Sequence, residues 1–324
     1  MKQIKTTDAI GMVLAHDHTQ IIIDKFKGVR FPKGHIIQAE DIPVLLEMGK
    51  ETIFVLEIEP GMLHEDDAAA ILGEICLGQN LRISSPREGK VELFAECDGL
   101  LSIDAQKLSI LNSAEHVVIS SQKNNIPVNA GEKVAAMRVV PLLIEQTRLT
   151  ALQAVIAPPV FNVLPYQQMS AAILVTGSEI LLGRITDTFS PVVLEKLTGF
   201  PVQTKIVRTV GDERETIKSA IIEAHQVGID LIFCTGGMSV DPDDQTPAAI
   251  RDSGAKVVTY GTPVFPGAMF MLAYFEDGGA VMGLPGGVMF AKKSILDLVL
   301  PRVVAGQKLT KSDFVDLAIG GLLS

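Results

Sequence analysis

Leu231-Ile232-Phe233-Cys234-Thr235-Gly236-Gly237-Met238-Ser239 is the stretch that decides how the second half of this chain folds. Four apolar residues in a row, closing on a threonine and two glycines, describe a strand covered on both faces that runs out into a loop at its carboxyl end. Outward from it, the same alternation of strand and helix repeats. Ala171 to Thr176, Val202 to Val207, Asp230 to Cys234, Lys256 to Thr259 and Ala280 to Leu284 read as strands. Pro191 to Leu197, Glu213 to Gln226, Thr246 to Asp252 and Ala291 to Leu300 read as helices. The fold class that follows is α/β, with a C-terminal three-layer domain at 171–305 built on a mostly parallel sheet with helices on both faces. Ligands of such sheets bind beyond the carboxyl ends of the strands.

Four of those ends are chemically unusual. They are Thr176-Gly177-Ser178-Glu179, Val210-Gly211-Asp212-Glu213, Thr235-Gly236-Gly237-Met238-Ser239 and Gly283-Leu284-Pro285-Gly286-Gly287. Gly236 and Gly237 lack a β-carbon, so a phosphate or carbonyl group can approach their amides, and Ser239 adds a hydroxyl. A tight turn is the plainer reading of a glycine pair. Asp241-Pro242-Asp243-Asp244-Gln245-Thr246-Pro247 follows. Asp244 or Thr246 suits a helix cap, because a short oxygen-bearing side chain satisfies orphaned amides there. Capping accounts for one of these carboxylates, and either a divalent cation such as Mg²⁺ or a solvated acidic loop accounts for the rest. Asp187 and Thr188 precede Ser190-Pro191, a good helix start, while Asp212 and Glu213 either reach the same mouth or favour the positive end of the next helix.

The upstream half reads differently. Residues 1–75 suggest a small α+β domain, with a turn-rich hairpin at Gly28 to His35, a helix at Ala39 to Met48 and an end marked by Glu57-Ile58-Glu59-Pro60-Gly61. Residues 76–150 alternate in short runs such as Val91 to Ala95, His116 to Ser120 and Lys133 to Val140, as in a small barrel or sandwich. Residues 151–170, with Pro158, Pro159 and Pro165, read as a stiff linker, and 306–324 as a C-terminal extension.

Composition excludes several function classes. The chain has 324 residues, 28 Lys plus Arg against 38 Asp plus Glu, a formal net charge of -10 and no Trp. Such an acidic chain with few aromatics is poorly made for nucleic acid, whose binding rests on phosphate neutralisation. Three scattered cysteines, Cys76, Cys97 and Cys234, indicate neither a disulfide framework nor a zinc knuckle and suit a reducing cytoplasm. Neither a signal peptide nor an apolar run of membrane-spanning length is evident, so a soluble protein is expected. The dinucleotide, phosphate-loop and hydrolase-elbow signatures are absent. His16-Asp17-His18 offers two metal-ligand types without a third nearby, which favours a turn or surface role. Cys234, at the end of an apolar strand, reads as a buried small hydrophobe.

Taken in order, Thr176 to Glu179, Gly183-Arg184-Ile185-Thr186-Asp187-Thr188, Gly211-Asp212-Glu213, Thr235 to Val240, Asp244-Gln245-Thr246, Phe265-Pro266-Gly267 and Gly283 to Gly286 resemble the molybdopterin-binding domain of molybdenum cofactor biosynthesis enzymes. The resemblance runs from about Ala171 to Ala305 and is strongest to the molybdopterin molybdotransferase type. It implies molybdate insertion into adenylylated molybdopterin with AMP release, assisted by Mg²⁺, in a homodimer. It assigns catalytic roles to Asp187, Asp212 and Asp244, and together with the carboxylate cluster at 241–244 it points to metal binding by Asp187, Asp241 and Asp244. Substrate binding falls to Thr176, Gly177, Ser178, Glu179, Thr188, Gly236, Gly237, Ser239, Thr246, Pro266, Gly267, Pro285 and Gly286.

The departures are as informative as the matches. Ser178 stands where that pattern has aspartate, Phe189 where it has asparagine, Ala268 where it has lysine, and Gly287-Val288 where it has Asn-Pro. The family's Met-Asp-Gly-Tyr-Ala segment has no equivalent in the N-terminal half. These losses favour binding over turnover, because Ala268 cannot stabilise an anion as an ammonium does. Two other readings follow. The related competence-damage-type domain implies a pyrophosphatase of ADP-ribose-like dinucleotides, and a non-catalytic carrier or sensor would bind the cofactor without turnover.

Overall fold

The structure, a computed structural model, describes residues 2–22, 26–56, 60–157, 159–239 and 241–322. Glu57 to Glu59 of the expected domain-end marker, Pro158 of the expected linker and Val240 of the glycine motif lie outside the described residues. The chain divides into two compact units: Met1–Cys97 with Leu101–Asn124 and Val128–Val163, and Leu164–Ser324 with Asp98–Leu100 and Asn125–Pro127.

In the second unit, six strands form one sheet: β1 (Met169–Thr176), β2 (Val202–Val210), β3 (Leu231–Thr235), β4 (Lys256–Tyr260), β5 (Met271–Tyr274) and β6 (Ala280–Leu284). Their order across the sheet is β2-β1-β3-β6-β5-β4. The pairs β1–β2, β1–β3 and β3–β6 are parallel, while β5 runs antiparallel to both of its neighbours. The helices are α1 (Ser178–Leu181), α2 (Phe189–Leu197), α3 (Arg214–Gln226), α4 (Thr246–Asp252), α5 (Gly287–Phe290), α6 (Ile295–Val304) and α7 (Lys311–Asp316).

Side chains two apart on a strand share a face, and this sheet uses both faces. Ile173, Val175, Phe233 and Met282 bury against Val193 and Leu197 of α2 and Ile295 and Val299 of α6. Ala172, Leu174, Cys234 and Val281 bury against Ile217 and Ile221 of α3 and Ile250 of α4. Cover on both sides is why β3 is apolar throughout, and each large side chain so buried contributes roughly 1.5–3 kcal/mol. Burial pushes the Cys234 thiol up to about 12, so it is an inert core group. Edge strand β2 instead leaves Lys205 and Arg208 exposed, charges that oppose the addition of another strand.

The mostly parallel α/β reading holds, with two differences. Strand β5 was not read from the sequence. It is only four residues long and makes a return in an otherwise forward-running sheet, so no intervening helix announces it. The last long helix begins at Ile295 rather than Ala291, because Ser294 and Asp297 form a capping box that fixes its start.

The first unit is less purely β than its alternation suggests. Lys2–Lys5 pairs antiparallel with Thr52–Val55, and His18–Ile22 with Phe26–Phe31. Part of the expected Gly28 to His35 hairpin is therefore strand, followed by a turn closed by the His35 amide on the Pro32 carbonyl at 3.1 Å. The expected helix at Ala39 to Met48 is present as Asp41–Glu47. Farther on, Leu81–Ile83, Lys90–Ala95, Lys133–Val139 and Val117–Ser121 form a four-stranded antiparallel sheet in that spatial order, and helix Glu65–Cys76 brings Gly73 against Val91. A helix at Ala105–Ser113 interrupts the β pattern, started by Asp104 accepting from the Lys107 amide at 3.0 Å. Residues 151–170 hold the end of helix Gln146–Val155, strand Phe161–Pro165 and the start of β1, where a linker was expected.

Candidate functional site

The glycine loop after β3 is stitched to its surroundings by two buried threonines. Thr176, at the end of β1, donates its hydroxyl to the Thr235 carbonyl at 3.0 Å and lies 3.3 Å from the Thr246 hydroxyl. Thr246, the first residue of α4, donates to the Gly236 carbonyl at 2.9 Å. Both hydroxyls therefore position backbone. Gly236 has φ +86°, and a β-carbon there would stand 2.3 Å from the Thr176 carbonyl oxygen. Gly237, at φ +55°, would place one 2.9 Å from the Thr246 hydroxyl. The tight-turn reading is satisfied, because only glycine lets the loop sit this close to β1 and α4.

The three surviving carboxylates also hold main chain. Asp187 Oδ1 accepts from the Phe189 and Ser190 amides at 2.8 and 3.1 Å, fastening the start of α2. Asp212 Oδ2 accepts from the Ser178 amide at 2.7 Å, which ties the end of β2 to the start of α1. Asp244 Oδ2 accepts from the Ser239 amide at 2.7 Å, so it braces the glycine loop rather than capping α4. Asp241 is exposed, and its carbonyl accepts from the Asp244 amide at 3.0 Å. Among the described residues no three His, Cys, Asp or Glu side chains converge as a metal cage, so Asp187, Asp241 and Asp244 are not gathered as a ready Mg²⁺ site. The pair Asp212 and Glu213 is split, since Glu213 is exposed and accepts from the Thr216 hydroxyl at 3.0 Å.

A pocket of about 500 Å³ opens at the carboxyl ends of β3 and β6. Gly236, Gly237, Ser239, Asp244, Gly267, Pro285 and Gly286 line it, all of them expected from the sequence. Gly267, at φ +126°, packs where a β-carbon would meet Ile295 at 2.3 Å. Pro266 is placed just behind, its carbonyl accepting from the Ile295 amide at 3.2 Å. Thr176, Gly177, Ser178, Glu179, Asp187, Thr188, Asp212, Asp241 and Thr246 do not line the pocket. Glu179 and Thr188 are exposed and Gly177 is buried.

Phe189, Met238, Phe265 and Met269 complete the walls and were not singled out from the sequence as ligand contacts. Apolar residues beside a glycine loop look like core in one dimension, and only Phe189 gave a signal, by standing where an amide was expected. Tyr260 donates its hydroxyl to the Met238 carbonyl at 3.3 Å. Burial, eased by Arg251 and reinforced by Asp244, pushes its phenol up and keeps it a donor. A second cavity of about 450 Å³ lies around Met169, Leu231 and Ala280, at the opposite ends of their strands, and none of the sequence-predicted site residues reaches it.

With this geometry in place, comparison with known proteins is direct. Residues 172–305 match the family described as "Probable molybdopterin binding domain". This segment is thus similar in sequence to the molybdopterin-binding domains of cofactor biosynthesis proteins. A molybdopterin molybdenumtransferase of Synechococcus elongatus is 26% identical over 157 residues, which cover 45% of this chain and 39% of that protein. A putative competence-damage inducible protein of Halothermothrix orenii is 38% identical over 84 residues, 26% of this chain and 20% of that protein. The chain thus spans well under half the length of these curated relatives. A solved MoaB, a molybdopterin biosynthesis enzyme from Thermus thermophilus, superposes with a TM-score of 0.34 at 22% identity, covering 43% of this chain and 98% of that one.

Upstream of this segment, residues 3–57 match a domain of unknown function. There His16 and His18 lie with ring centroids 4.7 Å apart. Burial, then His16 and Lys50, push the His18 imidazole down to about 4. Asp17 accepts from the Lys33 amide at 2.7 Å, which gives the segment a turn-holding role. Among the described residues no helix is long and apolar enough to cross a membrane.

Proposed function

We propose that the pocket beyond β3 and β6 binds molybdopterin, and that the chain is of the molybdotransferase type, taking adenylylated molybdopterin and molybdate and releasing AMP. The observation that supports this reading is the glycine loop Gly236–Gly237. It is forced by its contacts with Thr176 and Thr246 and exposes loop backbone at the mouth of a pocket in a molybdopterin-binding domain. The Ser239 hydroxyl and loop backbone are the polar groups offered to a carbonyl or ring nitrogen of the ligand, with Pro285 and Gly286 forming the opposite wall. Asp187, Asp212 and Asp244 keep α1, α2 and the loop in register around it.

Mg²⁺ would supply phosphate screening, but among the described residues the carboxylates do not form a cage for it. We carry the pairing of two chains and a cytoplasmic setting as further parts of this proposal, the first checked by sedimentation.

Calorimetric titration with molybdopterin and with adenylylated molybdopterin, each with and without Mg²⁺, tests the binding. Saturable heat at one site per chain is expected, and none from either ligand on a folded protein removes the proposal. Molybdate-dependent AMP release tests the transferase step; binding without release leaves a carrier or sensor. AMP or phosphate release from ADP-ribose, in the absence of pterin binding, would replace it with the dinucleotide hydrolase reading.

A further inference from the structure

Among the described residues, no lysine or arginine lines the pocket at the strand ends. Its walls are instead aromatic and thioether: Phe189 from the first position of α2, Phe265 from the loop between β4 and β5, and Met269. Phe265 is 57% exposed, an aromatic side chain left in water at a pocket wall. The one ionisable side chain among the described residues that line the pocket is Asp244, with one oxygen already engaged by the Ser239 amide at 2.7 Å.

A phosphate entering here meets the Asp244 carboxylate, with no fixed cation among the described lining residues to offset the like charge. A flat heteroaromatic ring gains what the walls offer: stacking on phenylalanine and sulfur contact with methionine. The remaining acceptor capacity of Asp244 suits the adjacent N–H donors of an amino-oxo-pyrimidine edge, donors that a phosphate does not have.

We infer that this pocket grips the pterin ring and is indifferent to phosphate: ring burial carries the affinity, and a terminal phosphate or adenylyl group adds none. The inference rests on the reading of the pocket as a molybdopterin site, and it sharpens that reading for this chain, where Phe189 and Ala268 replace an amide and an ammonium.

The probes are neopterin and neopterin triphosphate, titrated into the full chain while quenching of pterin fluorescence is followed. Their Kd values should agree within about threefold, because no fixed cation among the described lining residues meets the added charge. Phe265→Ala should weaken both by a common factor of roughly 5–10 through lost stacking. Ala268→Lys should improve the triphosphate relative to neopterin by about tenfold or more, since it restores a charge-assisted donor. Triphosphate binding tenfold tighter than neopterin in the unaltered chain overturns the inference and leaves the pterin site standing. Binding of neither probe by the folded chain overturns both.

Discussion

Two regions of this molecule bury polar side chains, and they do so on opposite terms. At the end of β3, Thr176 and Thr246 are buried with each hydroxyl given to a backbone carbonyl. Around His16 and His18, the His16 Nδ1 and His18 Nε2 atoms are buried without a hydrogen-bond partner among the described residues. The second unit has unpartnered hydroxyls of its own, on Ser190, Thr235 and Tyr166, but these do not gain charge in acid. A satisfied polar group fixes geometry, whereas an unsatisfied imidazole stores sensitivity to pH. The difference assigns rigid ligand geometry to the second unit and acid sensitivity to the first.

The strongest way to break that comparison is Gly236→Ala. It puts a β-carbon 2.3 Å from the Thr176 carbonyl oxygen at a φ of +86°. Strain of about 1–2 kcal/mol from the left-handed backbone, added to displacement of β1, should bring the loss to roughly 3–4 kcal/mol. Gly286→Ala is the control, because a β-carbon there meets open space, and it should change stability by less than about 0.5 kcal/mol. Denaturant midpoints of the two variants decide the point, and equal midpoints would dissolve the claim that the glycine loop is sterically forced.

Acid sharpens the other side. The folded His18 protonates only near 4, held down first by burial. The unfolded chain protonates at the ordinary value of about 6.5, so between these values it binds more protons than the folded one. Stability is therefore lost as pH falls from about 6.5 to 4, by up to about 3 kcal/mol. Hydrogen exchange of the strand His18–Ile22 should accelerate over that window while β3 stays protected. His18→Asn should flatten the dependence; an unchanged slope would assign it to other groups.

The smallest effect separates scaffolding from chemistry within the second unit. Asp187→Ala removes an acceptor for the Phe189 and Ser190 amides and should cost about 1 kcal/mol, whereas Asp187→Asn keeps the acceptor and most of the stability. Thermal melts compare the pair. If Asp187→Asn preserves stability yet weakens molybdopterin binding tenfold, the carboxylate acts on ligand as well as on the helix.

Much of the fold was legible in the sequence. Strands β1, β3 and β6 declare themselves because strands covered on both faces must be apolar throughout, and α3 and α4 because their apolar faces recur at helical spacing. Strand β5 was not legible, since four apolar residues without flanking helices carry no direction. The site divides in the same way. Gly236 and Gly237 could be read because a glycine pair after a strand marks a tight turn or a close approach, and Gly267 through the motif it shares with the resembled domain. The role of Asp244 could not, because a carboxylate a few residues beyond a glycine pair serves equally as a cap, a ligand or a brace, and the choice depends on which amide the loop turns toward it. The wall roles of Phe265 and Met269 were not legible for the opposite reason, that apolar residues signal burial and say nothing of a pocket wall, even where, as at Phe265, they stand within a recognised motif.

The sequence by itself determined the α/β layering, the places where the chain leaves β1, β2, β3 and β6, and the resemblance of 171–305 to molybdopterin-binding domains, because each rests on periodicity or on residue types that admit one backbone path. Only the tertiary structure decided what those residues do. It turned Thr176 and Thr246 inward to hold backbone, gave Asp187, Asp212 and Asp244 to amides instead of a common cage, and left aromatic walls around a pocket with no cation among its described lining residues. Thr176 to Thr235 and Asp212 to Ser178 are contacts between segments far apart in the chain, while the Asp187, Asp244 and Thr246 contacts are local and depend on the turn that the packed loop adopts; patterns of charge and hydrophobicity encode neither.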